Sequence, residues 1–154
     1  MPRIPPPAVA VAAALVQRAL SDGALPPTRS RTAAAATISL LSLSMAGAAG
    51  NRFRRAGTTT EPFQPGRATV LVTGGANAVS RNPMYVGMAG LLLAHAVGRG
   101  SWAALLPLVG FVGFIDRVQI RAEERALLEK FGTAYEDYRA TTPRWVDRRS
   151  FRIA

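Results

Sequence analysis

Two short stretches of this chain carry residue types that can do chemistry. The first is Ser80-Arg81-Asn82-Pro83-Met84-Tyr85-Val86-Gly87, and the second, after an apolar interval, is Arg121-Ala122-Glu123-Glu124-Arg125. Pro83 suits the first turn of a helix, and that turn presents unpaired backbone N–H groups beside Arg81, a combination that binds a carboxylate. Gly87 lets a ligand approach the backbone. Glu123 and Glu124 can pair with a cation, and the Tyr85 ring can meet one face-on. Arg117, Arg121 and Glu124 fall on one stripe of a helix, where an anionic substrate group could be held.

Each of these residues also has a plainer reading. Arg81 can be a basic residue snorkelling at a helix end, Glu123 and Glu124 a solvated face beside Arg121 and Arg125, and Tyr85 an interfacial anchor. Arg117 can equally touch a lipid headgroup. His95 reads as a polar residue near the far end of an apolar hairpin, and Trp102 as a member of an aromatic belt.

The elements that must position these residues read as helices. Charge-free runs cover residues 32–51, 82–98 and 100–115, against a bilayer span of roughly 17 to 25 residues. A weaker first segment, residues 7–20, is interrupted by Gln17 and Arg18 and spans only with Arg18 snorkelling; a signal peptide led by Arg3 is its alternative. Ser21-Asp22-Gly23 and Pro26-Pro27 end it. Residues 32–50 are rich in small side chains, which permit close helix contacts in lipid. The Gly-, Pro- and Thr-rich stretch 52–80 reads as an irregular loop. Gly98-Arg99-Gly100-Ser101 turns the third helix into a fourth, residues 102–115. Beyond Asp116 a separate amphipathic helix carries Ile120, Leu127, Leu128 and Phe131 to a stop at Gly132. The expected fold is an all-α integral membrane bundle of about four transmembrane helices, one pair a tight hairpin, with a C-terminal cytoplasmic amphipathic helix.

Composition narrows the function. The chain of 154 residues is 49% apolar and 18% charged, a balance that favours a membrane over the cytosol. It has no cysteine and one histidine, which excludes disulfides, thiolate metal sites and clustered-histidine centres, so no metal is expected. A net charge of +10 invites a nucleic-acid reading, but the basic residues concentrate between Arg52 and Arg81 and beyond Asp116, flanking apolar segments. That distribution follows the positive-inside tendency and suits anionic headgroups, with no nucleic-acid motif beside it. It puts both termini and the 52–80 loop in the cytoplasm.

Four pieces in order resemble the isoprenylcysteine carboxyl methyltransferase and phospholipid methyltransferase family of small membrane enzymes. They are Phe53-Arg54-Arg55-Ala56-Gly57-Thr58-Thr59; Thr73-Gly74-Gly75-Ala76-Asn77 with the Arg81 to Gly87 motif; Glu123-Glu124; and Phe131-Gly132 with Tyr135, Tyr138, Arg144 and Trp145. The resemblance implies one domain over 1–154, with N-terminal helices over 1–50 and a cofactor-binding catalytic part over 51–154. It implies S-adenosylmethionine at the cytoplasmic mouth of the bundle, contacted by Arg81, Asn82, Pro83, Tyr85, Gly87, Glu123 and Glu124, with Arg117 and Glu124 acting on the acceptor. The reaction implied is direct methyl displacement to a lipophilic acceptor: an isoprenylcysteine-like carboxylate, a phospholipid amine or a small isoprenoid. A carboxylate acceptor needs no base, whereas an amine must lose a proton, for which Glu124 is the nearest candidate. The implied setting is a bacterial inner membrane, with membrane lipids around the protein, the active site facing the cytoplasm and no nucleic-acid partner.

The chain departs from the family pattern at Ala76-Asn77, where relatives carry proline and an aromatic, and at Glu61, where asparagine is common before Pro62. Both bear on loop geometry and the acceptor pocket. Two other classes compete: a membrane oxidoreductase using NADPH, because sterol reductases have a related C-terminal bundle, and a non-catalytic membrane protein of the same fold.

Overall fold

Local signals in the chain set most of its helix ends. In the computed structural model, which describes residues 4–21, 25–57 and 70–151, every regular element is helical. Helix α1 (Pro6–Ala19) opens on prolines, at a turn where a missing N–H costs nothing. Helix α2 (Arg29–Arg55) is capped by Thr28, whose hydroxyl accepts from the Arg31 N–H at 3.3 Å. A short α3 (Ala76–Val79) precedes α4 (Pro83–Arg99), which ends at Gly100 in the left-handed region, φ 64°. After a 3₁₀ turn at Trp102–Ala104 come α5 (Leu105–Phe114), a π-helical segment (Ile115–Ile120) and α6 (Arg121–Phe131). Helix α7 (Thr133–Thr141) and a 3₁₀ turn at Arg148–Phe151 follow.

The break expected at Asp116 does not occur: Trp102–Phe131 is one continuous helix of 30 residues. No proline or glycine stands between Phe114 and Phe131, so where the charges begin the helix loosens into the π-helical segment Ile115–Ile120 without breaking. The expected loop is shorter than 52–80 at both ends, because α2 runs on to Arg55 and α3 occupies part of the rest. Thr58, Thr59, Glu61 and Pro62 lie outside the described residues, as do Asp22 and Gly23 and residues 1–3 and 152–154.

The small residues of α2 and α4 form the closest helix pair. A Cβ placed on Gly98 would lie 3.6 Å from Ala35, one on Gly90 would overlap Ser42, and one on Gly87 would lie 2.8 Å from both the Ala46 Cβ and the Ser42 carbonyl oxygen. The contacts descend along α2 as they ascend along α4, so the two run antiparallel. Absent side chains at Gly87 and Gly90 let the backbones approach, the contact that compensates for a weak hydrophobic force in lipid. On the other side of α4, Tyr85, Leu92, Phe111, Ile115 and Ile120 form the core, with Val9, Ala10, Ala13 and Ala14 of α1 packed against it.

Gln17, which interrupts the apolar pattern of α1, is fully buried and ties that helix to the hairpin. Its amide Nε2 donates to the carbonyls of Leu92 at 3.0 Å and Ala104 at 2.7 Å. Its oxygen therefore accepts from His95 Nδ1, 2.9 Å away, which fixes the proton on that ring nitrogen. Both residues are structural. Gln17→Leu is expected to destabilise the protein by about 1 to 3 kcal/mol, by leaving His95 and two carbonyls without this partner. Thermal unfolding in detergent measures it, and adding His95→Leu in that background should cost less than His95→Leu alone.

Among the described residues, two helices are long and apolar enough to cross a membrane, Arg29–Arg55 and Trp102–Phe131. This corrects the expectation of about four. Helix α1 has 14 residues and α4 has 17; at about 1.5 Å per residue these reach about 21 and 26 Å, short of a hydrocarbon core of about 30 Å. Leu40, Leu41 and Leu43 of α2 and Leu106 and Val109 of α5 point outward, as side chains facing lipid do.

Candidate active site

The site forms where three distant parts of the chain meet: the turn into α4, the first turns of α6, and the segment Pro143-Arg144-Trp145. The Arg81 N–H donates to the Pro143 carbonyl at 2.9 Å. The Ser80 hydroxyl and the Asn82 amide both donate to the Arg144 carbonyl, each at 2.9 Å, and the Ser80 oxygen accepts from the Asn82 N–H at 3.0 Å. Ser80 and Asn82 therefore dock the C-terminal segment onto the head of α4. That is where the structure puts Asn82, and Pro83 is buried in the turn behind it.

Glu124 is the centre of this junction. Its Oε1 meets Arg81 Nη1 at 3.0 Å and Arg144 Nε at 3.0 Å, while its Oε2 takes Arg144 Nη2 at 2.5 Å. Arg144 thus grips the carboxylate with a two-pronged fork, the strongest geometry such a pair adopts. Its remaining nitrogen, Nη1, lies 3.1 Å from both oxygens of Asp116, which also accepts from the Trp145 indole at 2.9 Å. The Glu124 carboxylate, and Asp116 after it, hold the Arg144 guanidinium pKa above its ordinary value. Side chains of Arg81 and Glu124 are only 10% and 12% exposed, so little solvent screens their attraction.

The neighbouring glutamate points elsewhere. Glu123 accepts from the Tyr85 hydroxyl at 2.5 Å and from Gln119 Nε2 at 2.7 Å. Tyr85 is therefore neither an interfacial anchor nor a free ring: it is a core residue, 7% exposed, with its hydroxyl on Glu123. Tyr135 and Tyr138 close the other side of Arg81. Arg81 Nη1 reaches the Tyr135 oxygen at 3.4 Å, and the Tyr138 hydroxyl donates to the Asn77 carbonyl at 2.6 Å. Burial pushes both phenol pKa values up, keeping both hydroxyls protonated, the first accepting from Arg81 and the second donating to Asn77.

Gly87 is placed differently from the sequence expectation. Its bare face meets Ala46 and Ser42 of α2, so the close approach it permits is helix to helix and not ligand to backbone. Gly74 and Gly75 have a comparable reason: the Arg52 side chain lies across them, and a Cβ at Gly74 would come 2.6 Å from its Nη2.

Beside Glu124 opens a cleft of about 480 Å³ lined by Arg117, Arg121, Arg125, Leu128 and Arg139. The stripe of Arg117, Arg121 and Glu124 thus faces one space even across the π-helical segment. Sequence reasoning did not place Asp116, Gln119 and Arg144 in the site. Arg144 had a signal, as a basic residue in the C-terminal signature, but its partners are fixed only when that segment folds back on α4.

Helices of spanning length, with a buried arginine–carboxylate junction beside an open cleft, define an all-α protein with two helices long and apolar enough to cross a membrane among the described residues. The chain belongs to the phospholipid methyltransferase family, whose model matches residues 30–137, more than half of its length. The match takes in α2, the Arg81 turn and Glu123-Glu124, and stops before Arg144. Over 63 residues the chain is 35% identical to an uncharacterized protein of Haemophilus influenzae, an alignment covering 41% of this chain and 100% of that protein. No solved structure matches the chain. Membership makes this a protein of a membrane-associated methyltransferase family.

Proposed function

We propose that the protein transfers a methyl group from S-adenosylmethionine to a lipophilic acceptor, at the cytoplasmic face of a bacterial inner membrane. The observation that carries this is a buried donor without a partner. Arg81 Nε is inaccessible to solvent and makes no hydrogen bond among the described residues, although its neighbouring nitrogen holds Glu124. An unpaired buried N–H is costly, and an anionic ligand group arriving there would satisfy it.

The donor set suits this cofactor, which carries a carboxylate, an ammonium and a sulfonium. Arg81 would take the carboxylate. A carboxylate side chain offers about four lone-pair directions, and Glu124 uses three, leaving one on Oε2 towards a cation. Glu123 adds negative charge close by. Bound S-adenosylmethionine would supply a methyl group on a positively charged sulfur. The chain's own task is alignment and exclusion of water: Arg144 and Arg81 fix the Glu124 carboxylate, and Tyr85 and Gln119 fix that of Glu123. Arg117, at the membrane end of the cleft, would position an anionic group of the acceptor, which we take to be an isoprenylcysteine-like carboxylate, a phospholipid amine or a small isoprenoid. For an amine acceptor, that one free direction on Oε2 would take the proton instead, and the cofactor's cation would rest on the charge of Glu123.

Titrating the full-length protein in detergent with S-adenosylmethionine and, in parallel, NADPH tests the reading. Saturable binding of the first alone is expected; binding of NADPH alone would replace methyl transfer with a reductase. Arg117→Ala should leave S-adenosylmethionine affinity nearly intact while slowing methyl transfer to an anionic lipophilic acceptor by about tenfold or more. Arg117→Lys should restore little, since an ammonium cannot reproduce the planar fork. Loss of cofactor affinity in Arg117→Ala would move this arginine into the cofactor site.

A further inference from the structure

Four arginines line the cleft with almost nothing to neutralise them. Arg117, Arg121 and Arg125 follow one another along the continuous helix Trp102–Phe131, and Arg139 comes to the same space from α7. Among the described residues none of the four forms a salt bridge, while Glu124, the acidic residue of the lining, is paired with Arg81 and Arg144 and Asp116 with Arg144. Like charges at helical spacing weaken the helix that carries them. An anion in the cleft would offset that repulsion, and guanidinium groups meet phosphate oxygens with two parallel bonds.

The position of the cleft indicates where such an anion comes from. Leu106, Val109, Phe114 and Val118 face outward along the same helix, and the arginines begin at Arg117, where that apolar surface gives out. In a membrane crossed by this helix the cleft lies at headgroup level, within the negative surface potential of the lipid. Leu128, in the same lining, offers an apolar contact beside the charges.

We propose that the cleft binds the phosphate group of an anionic membrane lipid, with Arg121, Arg125 and Arg139 as its ligands. A phosphodiester oxygen is a weak nucleophile and an anionic lipid such as phosphatidylglycerol carries no amine, so a lipid of this kind is a fixed neighbour of the site and not the methyl acceptor. It ties α6, where the spanning helix leaves the apolar phase, and α7 beside it to the headgroup layer. The inference rests on Trp102–Phe131 spanning the bilayer and is independent of the methyl-transfer reading.

The test uses the full-length protein in neutral detergent, titrated with short-chain phosphatidylglycerol or phosphatidylcholine, with bound lipid counted by native mass spectrometry. The wild-type protein is expected to prefer phosphatidylglycerol. The double variant Arg121→Gln, Arg125→Gln should bind it about 25-fold more weakly, at about fivefold for each lost charge, with an unchanged helical spectrum and unchanged S-adenosylmethionine affinity. If that variant does not fold, Arg139→Gln alone, on a different helix, should give about a fivefold loss. Equal binding of the two lipids, or wild-type affinity in the folded variants, overturns the proposal. Displacement of the lipid by inorganic phosphate at matched concentration also overturns it, by showing a site for free phosphate. A parallel fall in S-adenosylmethionine affinity assigns the cleft to the methyl donor and overturns the lipid site while sparing methyl transfer. Retained lipid preference in a protein that binds no S-adenosylmethionine supports the lipid site and removes methyl transfer instead.

Discussion

Glu124→Gln should be the most damaging single change in the molecule, lowering stability by about 2 to 4 kcal/mol and weakening S-adenosylmethionine binding by about 1.5 to 3 kcal/mol in the molecules that still fold. The carboxylate holds two guanidinium groups, Arg81 at 3.0 Å and Arg144 through two bonds of 3.0 and 2.5 Å. Glutamine keeps one acceptor oxygen and turns the other into a donor facing Arg144, so both arginines lose a charged partner. Breaking a buried pair from one side leaves an uncompensated charge, which is why the loss exceeds the net worth of the pair. Arg144 retains 28% exposure, and solvent screening there sets the lower end of the range. Chemical denaturation in detergent measures the first quantity and calorimetric titration the second. Glu124→Asp should recover part of the stability. Unchanged cofactor affinity in folded Glu123→Gln and Glu124→Gln variants alike would remove both residues from the cofactor site.

Gly87→Ala should destabilise by about 1 to 3 kcal/mol, the ordinary cost of adding a methyl group where a core has no room. The added carbon would stand 2.8 Å from the Ser42 carbonyl oxygen and the Ala46 Cβ, neither of which can swing away without moving α2. Gly47 is the control, because nothing lies within 4 Å of the position its Cβ would take. Gly47→Ala should therefore be neutral or stabilising by up to about 1 kcal/mol, as expected for alanine over glycine in a helix. The same pair separates packing from ligand contact at Gly87. If Gly87→Ala folds with wild-type stability but loses S-adenosylmethionine binding, the glycine faces a ligand after all and the α2–α4 contact is wrong.

The sequence by itself determined the features that depend on near neighbours. Pro83 starts a helix, Gly100 and Gly132 end helices, and the small residues of α2 mark a close helix contact; each acts within a turn or two of its position. The Arg81 to Gly87 motif and Glu123-Glu124 were legible for the same reason, as short strings of residue types, and the family match covers both. Charge was a poorer guide. The step at Asp116 reads as a boundary, yet the helix passes through it with only a π-helical segment, because no proline or glycine interrupts its hydrogen bonding.

Only the tertiary structure decided who pairs with whom. It sends Glu123 inward to Tyr85 and Glu124 to Arg81 and Arg144, although the two glutamates are adjacent and chemically identical. It places Gly87 against α2, puts Gln17 at the joint of α1 with the hairpin, and brings Arg144 and Asp116 into a site that no local pattern includes. Such pairings join residues separated by a whole hairpin or more. Their energies depend on which side chains a folded backbone brings within about 3 Å, in a setting where little water competes.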